Sequence, residues 1–391
     1  MLSINDRIVV NDKQRPFILK GINIGGWLMM EGYLLGGRNI PEHVFKGWIA
    51  KRYGKAAVPE FSGKFRHAYF NASDVKRIKD LGFNCARLPF NYRLLKEKGG
   101  LSFLKKTVKE FANQRIYVIL DMHSAPGSQN TDWHSDSDGR ACLWTDKKNR
   151  DEFVSLWKLL AKTFKDEEWI AGYDIMNESV IKKIGLLVKL YRDAIDAIRG
   201  EGDEHIIFLE GNNWGMDIDF LGQFKEKNVA ISFHFYQPVH FTFNWETGSS
   251  YPGVIQGKRW SKKVIDAVIR GYYETGRKLG MPIYCGEFGL ASRCDHCGSE
   301  YQWLEDVLDI FKKYGIHWTY WTYKSVKGMK LPDGLFQLVE NSGLIGDPTR
   351  GEGMDNIAVI LKDRKKDFFR IMDTGNYKIN VFLSGILKSR L

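Results

Sequence analysis

The sequence predicts a (β/α)8 barrel, the TIM-type architecture, with long loops at the C-terminal ends of its strands. Three observations carry that prediction. Eight short apolar runs alternate with helical stripes along the chain, as in a parallel sheet whose strands are buried on both faces. No G-x-G-x-x-G follows a strand, so a doubly wound sheet lacks its usual signature, and eight units favour closure into a barrel. The runs also end in charged or polar side chains, where strands that only packed a core would end in turn formers.

Taken in order, residues 17–24 (FILKGINI) read as the first strand, preceded by a hairpin through Asn11-Asp12. A helix follows over residues 71–82, with Ser73 as its expected N-cap and Gly82 closing it. FNCARL (83–88) is the second strand and RIYVILDM (115–122) the third. Phe153, Leu156, Trp157, Leu160 and Phe164 then fall on one helical face. WIAGYDIM (169–176) is the fourth strand, followed by the stripe Leu187, Leu190, Tyr191, Ala194, Ile195 and Ile198. HIIFLEG (205–211), VAISFHFY (229–236), PIYCGEF (282–288) and IHWTYWTY (316–323) complete the set, with helices near 261–279 and 300–314. No linker or internal repeat interrupts the series. One catalytic domain is therefore expected over 1–391, with an N-terminal hairpin at 1–16 and a C-terminal tail at 375–391.

Composition narrows the function classes. Of 391 residues, 43% are hydrophobic and 27% charged, ordinary for a globular enzyme and unlike a disordered chain. The aromatic share of 14%, with 12 Trp and 17 Tyr, suits both a large core and the faces of sugar rings. The net charge of +11 is spread over pairs such as Lys105-Lys106 and Lys262-Lys263 beside acids, so a solvated surface is expected and nucleic-acid binding is not. Five cysteines are odd in number and sparse, which is not a disulfide scaffold. Cys294-Asp-His-Cys297 has no second pair at zinc spacing, so no structural zinc is expected. There is no signal-type apolar core or membrane span, and with Met1 as the natural start the expectation is cytoplasmic, otherwise secreted.

The strand tips carry the chemistry, because active sites of such barrels lie at the C-terminal ends of the strands. Strand two ends in Arg87-Leu-Pro89, strand three in Asp121-Met-His123, and strand four runs into Asn177-Glu178. Strand six gives His234 and Tyr236, strand seven Glu287, and strand eight Trp321. Each has a bland reading as a cap, a satisfied core histidine or a packing aromatic; six strands doing this together are hard to explain by packing. Two carboxylates at one mouth, with an Arg and two His nearby, are what glycoside cleavage requires. An Arg beside one Glu keeps it anionic, while crowding and like charge are expected to raise the other.

These motifs (RLP 87–89, DMHSAPGSQN 121–130, NE 177–178, HFY 234–236, GEF 286–288 and Trp321) resemble those of glycoside hydrolase family 5, a clan A family of retaining (β/α)8 hydrolases. The resemblance spans the chain from strand one to strand eight. It implies Glu178 as acid/base and Glu287 as nucleophile, with Arg87, His123, Asn177, His234, Tyr236 and Trp321 around them and with neither cofactor nor metal. Asn177 would hold the sugar 2-hydroxyl, Tyr236 would sit beside the nucleophile, and Trp321 would stack on a sugar. GINIGGWLMMEGY (21–33) and HSAPGSQN (123–130) look most like fungal exo-β-1,3-glucanases, which makes Glu31 the counterpart of the acid that grips the terminal glucose. Ser179 departs from the Pro usual after Asn-Glu, so the loop after strand four is expected to differ.

The expected partner is thus a β-linked oligo- or polysaccharide, with no nucleic acid or membrane, and the expected form is a monomer. Endo-β-1,4-glucanase or β-mannanase action stands as the alternative within the family. An inactive carbohydrate-binding barrel is the alternative of another class, though both glutamates are present with their supports. A phosphate-handling barrel would want a Gly-rich loop after strands seven and eight. His134-x-Asp136-x-Asp138-Gly139 resembles the start of a calcium loop but begins with His and has Thr145 at its twelfth position, so a polar active-site loop is expected instead. Two long loops, 122–150 with Trp133, His134 and Trp144 and 235–262 with Phe241, Phe243, Trp245 and Tyr251, are expected to be functional. Their aromatics either pack the loops down or stack sugars.

Overall fold

The computed structural model of the chain describes residues 1–292, 298–328, 330–339 and 365–391. The Cys294/Cys297 pair lies outside them; Cys85, Cys142 and Cys285 are free thiols. Eight parallel strands close into a barrel. They are β1 Lys20–Asn23, β2 Cys85–Asn91, β3 Tyr117–Ser124, β4 Ile170–Asp174, β5 Ile206–Glu210, β6 Val229–Phe235, β7 Ile283–Phe288 and β8 His317–Tyr320. Each pairs with its neighbour in chain order, and β8 pairs with β1 (Trp318 opposite Lys20) to close the ring.

Continuous apolar runs become strands here because both faces of the sheet are covered. Residues facing outward pack under the helices, which supply the stripes seen in sequence: Phe153, Leu156, Trp157, Leu160 and Phe164 from Lys147–Phe164, and Leu187, Leu190, Tyr191, Ala194, Ile195 and Ile198 from Ile184–Arg199. A smaller inner cluster, including Ile119, Ile206, Phe208 and Tyr284, fills the N-terminal half of the barrel and is covered by Leu2 and Val9.

Three sequence expectations need correcting. The hairpin joins Ser3–Asn5 to Ile8–Val10 and turns at Asp6-Arg7, both at positive φ; the Asn11–Arg15 segment is a second turn that brings Pro16 against Val10. The helix Ala72–Leu81 is capped by Asn71, whose side chain accepts from Ser73 N at 2.9 Å while Asp74 Oδ2 accepts from Asn71 N. Strand β2 continues to Asn91, which puts Arg87 inside the barrel rather than at its rim. Between β5 and β6, where the sequence shows no helical stripe, the crossover holds only the single-turn segments Asn212–Gly215 and Asp219–Gln223. The 375–391 segment is built in: Lys378–Ile379 pairs with Phe336–Leu338, and Val381–Lys388 buries Leu383 and Leu387.

No helix among the described residues is long and apolar enough to cross a membrane.

Candidate active site

Arg87 is the hub. Fully buried, it donates from Nε to Asp174 (2.9 Å), from Nη1 to Asn23 (3.1 Å) and Glu287 (2.7 Å), and from Nη2 to Asn177 (2.9 Å). Its Nη2 also lies 3.1 Å from Asp121. A planar fork with five donors is the side chain that can tie β1, β2, β3, β4 and β7 together at one point. The cost of burying its charge is offset because Asp174 and Glu287 both pair with it and accept its hydrogen bonds. A lysine could not make this set of contacts.

Glu287, on β7, has both oxygens occupied: Oε1 accepts from Arg87 and Oε2 from the Tyr236 hydroxyl at 2.8 Å. Burial pushes its carboxyl up, but the charges of His234 and Arg87 outweigh that and hold it below the usual carboxylate range. Gly286 leaves room for His234, since a Cβ there would lie 3.0 Å from Nε2.

Glu178, beyond the end of β4, has a left-handed backbone at φ 46°, unfavourable for a residue with a Cβ and held only where neighbours enforce it. Three side chains enforce it. Gln129 Nε2 donates to Asn177 O (2.8 Å), Asn130 Nδ2 donates to Glu178 O (2.8 Å), and Glu178 N donates to Glu210 Oε1 (2.6 Å). The result turns the carboxylate toward Glu287: an oxygen of each, with a ring nitrogen of His234, lie within 4.8 Å of one another.

His234 sits between acids, with Nδ1 2.8 Å from Glu178 Oε1 and Nε2 in ionic contact with Glu210 Oε2 at 3.2 Å. Burial opposes its charge, yet Glu210, Glu287 and Glu178 raise it well above an ordinary histidine. His134 Nδ1 approaches Glu178 Oε2 at 3.4 Å; burial lowers this imidazole, but Asp132, Glu178 and Glu31 raise it to about 9. These two imidazoles overturn the expectation that Glu178 is raised. Burial pushes Glu178 up, but the bond to His234 and the charges of His134 and His234 bring it to about 2. The imidazoles are thus the groups of this cluster driven toward their protonated form, while burial lifts Glu210 to about 8.

The other expected residues meet at the same place. His123, Tyr236 and Trp321 line one cavity of about 710 Å³ with Glu31, Glu178, His234 and Glu287. Trp321 stacks on His123 (centroids 5.5 Å apart, 10° between planes) and donates its indole N–H to Tyr33. Glu31 is buried, its Oε1 makes no hydrogen bond, and burial raises it to about 8. Asn177 Nδ2 is likewise buried without a partner. Buried polar atoms are rarely left so, and both are suited to sugar hydroxyls.

The loop aromatics divide. Phe241 and Tyr251 are core and Trp144 anchors its loop through Gln129 O, whereas Trp133, Phe243 and Trp245 line the cavity. Asp136 of the calcium-like segment is taken up by His43, Asn91 and Arg93. Ser179 pairs with Asn212, docking the loop after β4 onto the loop after β5. Glu210 escaped sequence reading although it ends a strand as an acid, the signal that found the others. Tyr33, Asp132 and Gln129 carried no such signal.

The model of the family Cellulase (glycosyl hydrolase family 5) matches residues 50–327. A beta-xylosidase from Phanerodontia chrysosporium is 31% identical, the alignment covering 83% of this chain and 71% of that protein. Endoglucanase C from Acetivibrio thermocellus is 24% identical, covering 72% and 90%. A probable glucan 1,3-beta-glucosidase A from Neosartorya fischeri is 24% identical over 73% of this chain and 74% of its own. Among solved structures, Thermotoga maritima Cel5A in complex with cellobiose superposes with a TM-score of 0.59 at 19% identity, covering 82% of this chain and 93% of that one, a likeness of fold. With the barrel, the family match and these relatives in agreement, the chain belongs to glycoside hydrolase family 5 and is a glycoside hydrolase.

Proposed function

We propose that this enzyme is a retaining β-glycosidase that removes single glucose units from the end of a β-glucan or from a β-glucoside, with β-1,3 linkages foremost. The observation that carries the reading is the closeness of Glu178 and Glu287, an oxygen of one lying within 4.8 Å of an oxygen of the other. Retaining enzymes hold the two about 5–5.5 Å apart, whereas inverting ones leave roughly 6.5–9.5 Å for a water. Glu287, kept anionic by Arg87 and His234, attacks the anomeric carbon as the bond to the leaving oxygen breaks. Glu178 delivers the proton to that oxygen, drawing on the pool it shares with His234 and Glu210. Water then attacks the anomeric carbon, Glu178 takes its proton, and the bond to Glu287 breaks. Esterification removes the negative charge of Glu287, which leaves Glu178 ionised and free to accept that proton.

Exo-action is favoured by Glu31, whose buried, unpartnered oxygen lies on the cavity wall beside Tyr33 and Trp321. Relatives named endoglucanase keep endo-β-1,4 action as the second reading. Product analysis on β-1,3-, β-1,4- and β-1,6-linked oligosaccharides and the matching polymers separates them. Monosaccharide from the first minutes, with polymer viscosity nearly unchanged, is the expected result. A fast viscosity drop with mixed oligomers would give the endo reading, and no release from any β-linked substrate or aryl β-glycoside would overturn the function.

A further inference from the structure

Past Glu178, on the side where the leaving group must depart, the cavity changes character. Trp214, Met216, Val239, Phe243, Trp245 and Trp260 line it. Trp214, Met216 and Trp245 are 41%, 40% and 49% exposed, and the two tryptophans are the only ones among the described residues that stand so open to solvent. Large apolar side chains left exposed side by side mark a binding surface.

Trp214 is held there at a cost. Its backbone is left-handed (φ 56°, ψ 45°), as is that of Asn213, a genuine outlier for a bulky side chain. Its indole N–H donates to Asp132 Oδ2 at 2.8 Å; the same oxygen lies 3.4 Å from His134, which in turn contacts Glu178. The ring is thus fixed next to the proton donor. Trp245 lines the same cavity, braced edge-on by Phe243 and His240, and Phe243 packs on Tyr236 beside the other glutamate.

Several polar side chains of this wall are already engaged. Asp132 serves Trp214 and His134, Gln237 donates to Met216 Sδ, Gln256 donates to Glu246, and the Lys258 ammonium lies over the Trp260 ring. Of the buried atoms without a partner, Glu31 Oε1 and Asn177 Nδ2 belong to the sugar side, and the Trp133 indole N–H, packed on His134, is one free donor near this wall. A second pyranose would bring several hydroxyls to a wall with few partners for them, and leaving them unpaired is costly. A hydrocarbon or aromatic leaving group meets no such penalty.

We propose that the leaving-group half of this site is built for an apolar alcohol, so that the preferred substrate is a β-glycoside with one sugar on a lipid-like or aromatic aglycone rather than on a further sugar. This rests on the β-glycosidase reading above and narrows it. The test uses the intact enzyme. 4-Nitrophenyl β-glycosides first identify the sugar accepted, and kcat/KM is then measured for its methyl, butyl, hexyl and octyl β-glycosides and its β-1,3- and β-1,4-linked disaccharides. Alkyl alcohols leave with similar difficulty, so the series reports contact with the chain.

The expected result is a rise of roughly fourfold per methylene until the wall is covered, with the octyl glycoside ahead of both disaccharides. Trp214→Ala and Trp245→Ala flatten that slope, and Trp214→Phe restores much of it. A flat series with disaccharides cleaved faster overturns the inference and leaves the glycosidase reading standing. A slope indifferent to both Ala variants also overturns it, because the chain would then lie elsewhere. No turnover of any β-glycoside sinks the underlying function instead.

Discussion

Glu178 shows at the level of one residue how the site is made. Its left-handed backbone is enforced by Gln129, Asn130 and Glu210, so its aim comes from three side chains on two elements, the loop after β3 and strand β5. Glu210 does more than hold that N–H. Its charge beside His234 Nε2 raises the imidazole, which keeps its proton to higher pH than an isolated histidine would. Replacing Glu210 with Gln preserves an acceptor for Glu178 N but removes the charge, so His234 loses its proton earlier on the alkaline side. The alkaline limb of kcat/KM for a poor leaving group should move down by about one to three pH units. An activated aryl glycoside, which needs no proton to depart, should not show the shift in its glycosylation step. An unmoved limb with both substrates would make Glu210 a purely structural acid. The residues that break a strand's apolar pattern at its tip were legible: Arg87, His123, Glu178, His234, Glu287 and Trp321 all converge. Glu210 obeys the same rule and was passed over, whereas Tyr33 and Asp132 lie in loops whose course no periodicity reveals. The pKa of Glu178 was unreadable for another reason, because His134 reaches it only through the folded loop.

At the level of elements, the strands and the long helices could be read because burial on both faces or along one stripe dictates their composition. Ends were harder, since a cap is decided by one hydrogen bond. Ser73 looked like the start of the helix that begins at Ala72, yet the acceptor is Asn71 and Ser73 supplies the donor N–H. Asn71→Ala should therefore destabilise the fold by about 1 kcal/mol, and Ser73→Ala by distinctly less, in equilibrium denaturation. The opposite order would return the cap to Ser73. The crossover from β5 to β6 departs from the alternating pattern, and it is there that Trp214 takes its left-handed conformation. Ser179, where the family usually has Pro, docks against Asn212 at the base of this segment. The departure visible in sequence thus lies beside the part of the cavity whose chemistry changes.

Only the closed barrel brings the chemistry together. Glu178 and Glu287 are far apart in sequence, the first just past β4 and the second on β7, and Arg87 reaches from β2 to orient both Asn177 and Glu287. The N-terminal hairpin covers the other end with Leu2 and Val9, leaving the C-terminal mouth to the substrate. The central claim is that Glu287 forms a covalent glycosyl-enzyme which water, activated by Glu178, resolves. The stereochemistry of azide rescue tests it most directly. Glu178→Ala should slow a substrate with a poor leaving group by about 10²–10⁴-fold, yet still be loaded by an activated aryl β-glycoside. Azide entering the vacated space then attacks the intermediate and gives the β-glycosyl azide. Glu287→Ala has no nucleophile, so azide acts on the substrate directly and gives the α-glycosyl azide. An α product from Glu178→Ala together with a β product from Glu287→Ala would contradict the account by exchanging the two roles.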